Sequence, residues 1–220
     1  MPQIKNNRLL VEGDEDKRVI PELIEANGIP WGERRSEAIV DIESYDGIEN
    51  LLDRKVIATE LKASGLAALG ILVDANDDMA SRWRRLREVC LPSVPDMPDV
   101  LPEEGLVHPC DFGIRLGVWI MPDNRMQGML ETFLSLLVPA EHETLWSWTD
   151  ELCDEARRKG APFRSPHRDK ARIHSWLAFQ DPPGRPLHNA IIERVLDPTS
   201  PTAKPFVSWF RRLYGLEGPA

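Results

Sequence analysis

Three acidic stretches and one basic stretch hold the residues of this chain that could do chemistry. Glu12 and Asp16 stand in Leu9-Leu10-Val11-Glu12-Gly13-Asp14-Glu15-Asp16, where an apolar run breaks at a glycine and turns acidic. Ile71-Leu72-Val73-Asp74-Ala75-Asn76-Asp77-Asp78 repeats that pattern, and Glu131 comes after a further apolar run that ends in Met121-Pro122-Asp123. Carboxylates gathered within about 4–6 Å raise one another's pKa, and a bound cation removes the conflict. A site of oxygen donors without His or Cys selects Mg²⁺ or Mn²⁺ over zinc. A cation held in this way can activate a water molecule. Each stretch also has a plain structural reading, because acidic residues in the first turn of a helix are favoured by the macrodipole alone.

The basic stretch is Arg164-Ser165-Pro166-His167-Arg168-Asp169-Lys170-Ala171-Arg172. Arg164, Arg168, Lys170 and Arg172 are candidates for contact with a polyanion, since a local basic patch can guide one to a face of an acidic protein. Arg82, Arg84, Arg85 and Arg87 form a second cluster, read as the solvated face of a helix. The net charge of −9 argues against indiscriminate nucleic-acid binding.

To position these groups the chain needs a sheet whose strand ends share one edge. Residues 8–11, 38–42, 66–73 and 115–121 read as strands, with 66–73 apolar on both faces as a central parallel strand is. Helices are predicted over 14–27, 48–62 and 79–89, and after 121 over a stripe of Met126, Leu130, Phe133, Leu134 and Leu137. Pro21 falls inside the first of these, as a kink or a tighter first turn. The prolines between Leu91 and Pro109 predict an extended loop leading to a short strand. Beyond Pro139 the pattern is helical, with segments at 141–159, 166–180, 186–196 and 202–214, and Trp146, Trp148, Trp176 and Trp209 read as core. Strands alternating with helices predict an α/β fold with a mainly parallel central sheet flanked by helices, over residues 1–138. Residues 139–220 form a helical extension packed on it.

The chain of 220 residues with 42% hydrophobic content is ample for a core. No apolar run approaches the roughly 20 residues of a membrane helix, and Met1 to Asn7 lack the apolar heart of a signal peptide. A cytoplasmic protein without membrane partners is expected. Cys90, Cys110 and Cys153 are too widely spaced for a zinc pattern and read as buried thiols.

The run Leu10-Val11-Glu12-Gly13-x-x-Asp16 resembles the first motif of the Toprim superfamily, and Asp74-Ala75-Asn76 resembles its D-x-D motif. Tyr45-Asp46-Gly47-Ile48-Glu49-Asn50-Leu51 and Pro122 to Glu131 look most like the OLD-type (overcoming lysogenization defect) nuclease branch and its stand-alone relatives of unknown function. The resemblance spans roughly residues 8 to 137. It implies a Toprim-like Rossmannoid fold and a Mg²⁺- or Mn²⁺-dependent nuclease acting on nucleic acid, DNA rather than RNA. By position it makes Glu12 the acid/base and a metal ligand, Asp74 the main aspartate ligand, and Asp16, Asn76, Asp78 and Glu131 the remaining metal ligands. Lys170 takes the place of a lysine that contacts the scissile phosphate. Asn76 departs from the D-x-D pattern: an amide brings no charge, so a second metal is held weakly unless Asp77 or Asp78 substitutes. No G-x-x-x-x-G-K-[ST] occurs, so the ATPase of OLD-type systems would be a separate partner subunit. The oligomeric state stays open, a homodimer included.

Two other readings stand beside this one. The first is a Toprim-like binding or regulatory protein whose chemistry has lapsed, favoured by Asn76 and the negative charge. The second is a phosphoacceptor receiver domain, which would need a lysine after a late strand where Trp119-Ile120-Met121-Pro122 has none.

Overall fold

The computed structural model describes residues 7–34 and 37–216. Of the N-terminal residues read for a targeting signal, all but Asn7 lie outside that range. The centre is a five-stranded sheet in the order β2-β1-β3-β5-β4, formed by β1 (Asn7–Val11), β2 (Asp41–Ser44), β3 (Ala68–Asp74), β4 (Leu106–Pro109) and β5 (Arg115–Met121). β1 pairs in parallel with β2 and β3, and β3 with β5, so the carboxyl ends of four strands share one edge. Only β4 runs antiparallel, beside β5. The predicted α/β class with its mainly parallel sheet is the observed one.

The strand with the densest apolar run is central, as expected: every β3 residue from Ala68 to Val73 is buried. The ladder of β2 begins three residues later than the hydrophobic pattern suggested, because pairing with β1 starts at Arg8↔Asp41. An edge strand has one neighbour and buries little, and here Ile42 is the buried residue of Asp41-Ile42-Glu43-Ser44.

Helices cover both faces. On one, Leu9, Val11, Leu72, Trp119 and Met121 meet α1 (Asp14–Ala26), α5 (Leu130–Ser135), α6 (Glu143–Arg158), α7 (Arg168–Ala178), α8 (Leu187–Ile192) and α9 (Lys204–Tyr214). On the other, Leu10, Leu69, Ile71, Val73 and Ile120 meet α2 (Ile48–Leu51), α3 (Arg54–Glu60) and α4 (Met79–Cys90). α1 runs unbroken through Pro21. The helix expected over 48–62 is split in two, because Asp53 accepts the Lys55 N–H at 2.7 Å and starts α3 as its N-cap. α5 is shorter than its apolar stripe, since Arg125 and Met126 donate their N–H groups to Asp123 in a turn before it.

The C-terminal helices lie directly on the sheet. Gly70 and Gly117 are register partners on β3 and β5, and a Cβ on either would stand 2.4 Å from the Tyr214 hydroxyl or the Leu213 side chain. Two adjacent glycines thus leave the flat bed on which α9 rests. Trp146, Trp176 and Trp209 are buried as expected, whereas Trp148 is exposed against Phe179. Cys90 and Cys153 are buried free thiols, and Cys110 is half-buried. Among the described residues no helix is long and apolar enough to cross a membrane.

Candidate acidic site at the carboxyl edge of the sheet

Glu12 leaves β1 and Asp74 ends β3, and the parallel pairing of these strands brings the two acids side by side. The Asp74 backbone N–H donates to Glu12 Oε1 at 2.8 Å. Asp74 Oδ1 in turn accepts the Leu130 N–H at 2.9 Å, at the start of α5. Asp16, in the first turn of α1, folds back so that its Oδ2 accepts the Gly13 N–H at 3.2 Å. Glu131 sits one residue into α5 and is 4% exposed. Two strands and two helices, β1, β3, α1 and α5, therefore deliver four carboxylates to one edge, because each begins or ends there.

The electrostatics follow from that crowding. Burial pushes the Asp16 carboxyl up to about 7, and the charges of Glu12 and Glu131 add to the effect against the Gly13 hydrogen bond. Asp74 is raised well above the ordinary range by burial and then by Asp16, Glu12 and Glu131. Glu12 is raised by burial, with the Asp74 N–H, Arg82 and Arg85 opposing. Burial is the largest cause for all three acids, and at Asp16 and Asp74 the neighbouring carboxylates add to it.

Lys170 answers part of it. Its Nζ lies 2.7 Å from Glu131 Oε1, with the lysine side chain 51% exposed and the glutamate 5%. Burial works against the ammonium, but Glu131, Glu15 and Asp74 together hold it charged and raise its pKa. The start of α7 is fixed there by a second link, in which Thr132 Oγ1 donates to Asp169 Oδ2 at 2.7 Å.

The other residues expected at the site are placed as follows. Asn76 adopts a left-handed φ of 55°, which asparagine tolerates better than most residues. Its backbone exchanges hydrogen bonds with Gly128 at 2.7 and 2.8 Å, tying the end of β3 to the loop before α5. Asp78 is exposed and caps α4, accepting from Ser81 N at 3.1 Å and from Ser81 Oγ at 2.6 Å. Arg168 is paired with Asp150 at 3.0 Å and Asp154 at 2.6 Å on α6. Arg172 stacks over Trp146 at 3.7 Å and donates to its carbonyl at 2.9 Å. Arg164 is exposed beside His167. Of the basic run, then, Lys170 reaches the acids, while Arg168 and Arg172 fasten α7 to α6.

The donor set suits a hard divalent cation in type and charge. The spacing is another matter: among the described residues no three His, Cys, Asp or Glu side chains stand where they could hold an ion together.

A pH dependence follows from the raised acids. The unfolded Asp16 has its carboxyl near 3.8 and the folded one near 7, so between these values the folded state keeps a proton that the unfolded state has lost. Stability is greatest below that window and falls as pH rises through the folded pKa. In EDTA the protein is expected to melt higher at mildly acid than at mildly alkaline pH, with the slope flattened in Asp16→Asn. The difference between the wild-type and Asp16→Asn slopes is the readout. Equal slopes would show that Asp16 is not held as a strained carboxylate.

The comparisons with known proteins come to the following. The family model described as "Protein of unknown function (DUF3226)" matches residues 6–215. Among curated proteins no relative matches the chain. Among solved structures the chain is similar to the C-terminal region of the Burkholderia pseudomallei OLD protein, at 14% identity over 96% of this chain and 100% of that one, with a TM-score of 0.45. It is also similar to the C-terminal region of the Xanthomonas campestris pv. campestris OLD protein, at 17% identity over 97% and 98% of the two chains, with a TM-score of 0.42. Identities and scores at this level transfer no activity.

Proposed function

We propose, for a chain that belongs to the DUF3226 family of proteins of unknown function, hydrolysis of nucleic-acid phosphodiester bonds with a divalent cation. The observation that carries this reading is the meeting of Glu12, Asp16, Asp74 and Glu131 at one sheet edge, where burial raises Glu12, Asp16 and Asp74 and neighbouring carboxylates raise Asp16 and Asp74 further. The Toprim-like order of the motifs supports it.

In this reading Glu12 and Asp74 would be the principal holders of Mg²⁺ or Mn²⁺, with Asp16, Glu131, Asn76 and Asp78 as further candidates that would have to close on the ion, because the acids are not spaced to hold one as they stand. A bound cation of this kind activates water and stabilises the leaving oxygen. Glu12 also serves as the acid/base, its carboxyl raised by burial and held beside Asp74 by the Asp74 N–H. Lys170 releases Glu131 and turns its ammonium to the scissile phosphate. Arg164, exposed like Lys170, extends the surface for the strand. DNA is the favoured substrate, and an ATPase would be supplied by a separate subunit.

A second reading has its own observation. The Lys170 ammonium already neutralises Glu131, and Asn76 brings no charge, so an internal cation could stand in for a metal in a binding or regulatory protein whose chemistry has lapsed.

The test is cleavage of supercoiled plasmid, linear duplex, single-stranded DNA and structured RNA in Mg²⁺, Mn²⁺ or EDTA, with Mn²⁺ binding followed by calorimetry. Metal-dependent cutting is expected. No cutting together with no Mn²⁺ binding would overturn the nuclease reading in favour of the second one.

A further inference from the structure

The four arginines of α4 differ in how they are used. Arg85 makes a two-pronged ion pair with Glu49, one arm at 2.7 Å, which links α4 to the start of α2. Arg87 donates to the carbonyls of Pro98 and Met97 and pairs with Asp99. Arg84 is exposed and donates to Ser81 Oγ at 2.9 Å. Arg82 has no side-chain hydrogen bond or ion pair among the described residues, and its Nε is buried without a partner. A guanidinium is costly to leave unsatisfied, and it suits phosphate oxygens through paired N–H groups.

Its position gives that vacancy a use. Arg82 lies in the first turn of α4, which starts shortly after β3 ends at Asp74, so it stands at the carboxyl edge, where its charge and that of Arg85 act on Glu12. α4 packs on one face of the sheet and α7, with Lys170, on the other. The carboxyl edge therefore has cations approaching from both faces. Lys170 is committed to Glu131 and Arg85 to Glu49, whereas the Arg82 side chain makes no hydrogen bond or ion pair among the described residues.

We propose that Arg82 binds a backbone phosphate of a nucleic-acid strand lying along the carboxyl edge of the sheet, next to the acidic site and on the opposite face from Lys170. This rests on the nuclease reading for the identity of the ligand but not for the cleavage step. One arginine contact of this type sets affinity and register rather than sequence preference.

The experiment is fluorescence anisotropy of the full chain with short fluorescein-labelled single-stranded and duplex DNA, in Ca²⁺ so that binding is read without cleavage, across about 50 to 200 mM salt. Arg82→Ala is expected to weaken binding about tenfold and to make the salt slope shallower by about 0.7 to 0.9, the share of one phosphate contact. Arg82→Lys should recover part of the affinity, and Arg84→Ala should bind as the wild type does. An Arg82→Ala protein that binds like the wild type would overturn the assignment, and so would an equal loss in Arg84→Ala, which would mean diffuse charge. Wild-type protein that binds neither probe would overturn it as well. The cleavage panel separates the two claims. Cutting with no effect of Arg82→Ala keeps the nuclease and removes Arg82, and binding that depends on Arg82 without cutting does the reverse.

Discussion

Asp74→Asn is expected to lower metal-dependent cleavage by about a thousandfold or more, on the scale of losing several kcal/mol of transition-state charge stabilisation, and to raise the melting temperature measured in EDTA. The two effects share one cause. The Asp74 carboxyl is pushed well above its ordinary range, first by burial and then by Asp16, Glu12 and Glu131. Its Oδ1 accepts the Leu130 N–H at 2.9 Å, and an amide oxygen can accept the same bond, so the start of α5 keeps its anchor. What disappears is the charge, which a divalent cation needs and which the metal-free protein is better without.

Glu12→Ala is a blunter version of the same experiment. It removes the acceptor of the Asp74 N–H at a cost of about 1 kcal/mol, partly offset by the repulsion it relieves, so cleavage should be lost with little net change in melting. Glu12→Gln keeps the acceptor and isolates the charge. Cutting that survives Asp74→Asn would sink the assignment of the site. Lost cutting accompanied by a lower melting temperature would mean that Asp74 acts on the fold rather than on the chemistry.

The acids were legible in the sequence because their signal is local. An apolar run that stops at Glu12-Gly13 or at Asp74 marks the end of a buried strand, and parallel pairing then brings such ends together. The centre of the sheet and the helices α1, α4, α6 and α9 were legible for the same reason, each carrying its own periodicity. What was hidden depends on partners far along the chain. Arg168 and Arg172 look like a polyanion patch until α6 is seen to bring Asp150, Asp154 and Trp146 against them. Arg82 looked like one of four solvated arginines, because nothing in Arg82-Trp83-Arg84-Arg85 says that Glu49 takes Arg85 and leaves the buried Arg82 Nε without a partner among the described residues. The break between α2 and α3 had a local signal in Asp53, an N-cap residue, but an apolar spacing that ran across it outweighed that signal.

Trp209→Ala carries the largest expected effect on stability. Trp209 is fully buried on α9, its ring 5.7 Å from Trp119 of β5 and 5.6 Å from Phe206, and its Nε1 donates to the Leu106 carbonyl of β4 at 2.9 Å. Gly105 is shaped around it: a Cβ there would stand 2.5 Å from the indole, and its φ of +80° already favours glycine. Removing so large a buried ring costs about 3–5 kcal/mol, and the carbonyl it leaves adds about 1 kcal/mol. For a chain of this length that corresponds to a fall of roughly 10 °C in Tm. Trp209→Phe keeps most of the packing and should lose about 1–2 kcal/mol, chiefly the hydrogen bond. Because α9 rests on Gly70 and Gly117 at the middle of the sheet and shares its core, the loss should appear as a shift of one cooperative transition. Calorimetry decides between this and a helical extension that melts by itself. Two transitions, with only the minor one moved by Trp209→Ala, would mean that the sheet holds its fold without the helices beyond residue 138. A single shifted transition would mean that the acidic edge depends on them, since α7, which delivers Lys170 to Glu131, packs in the same core as α9.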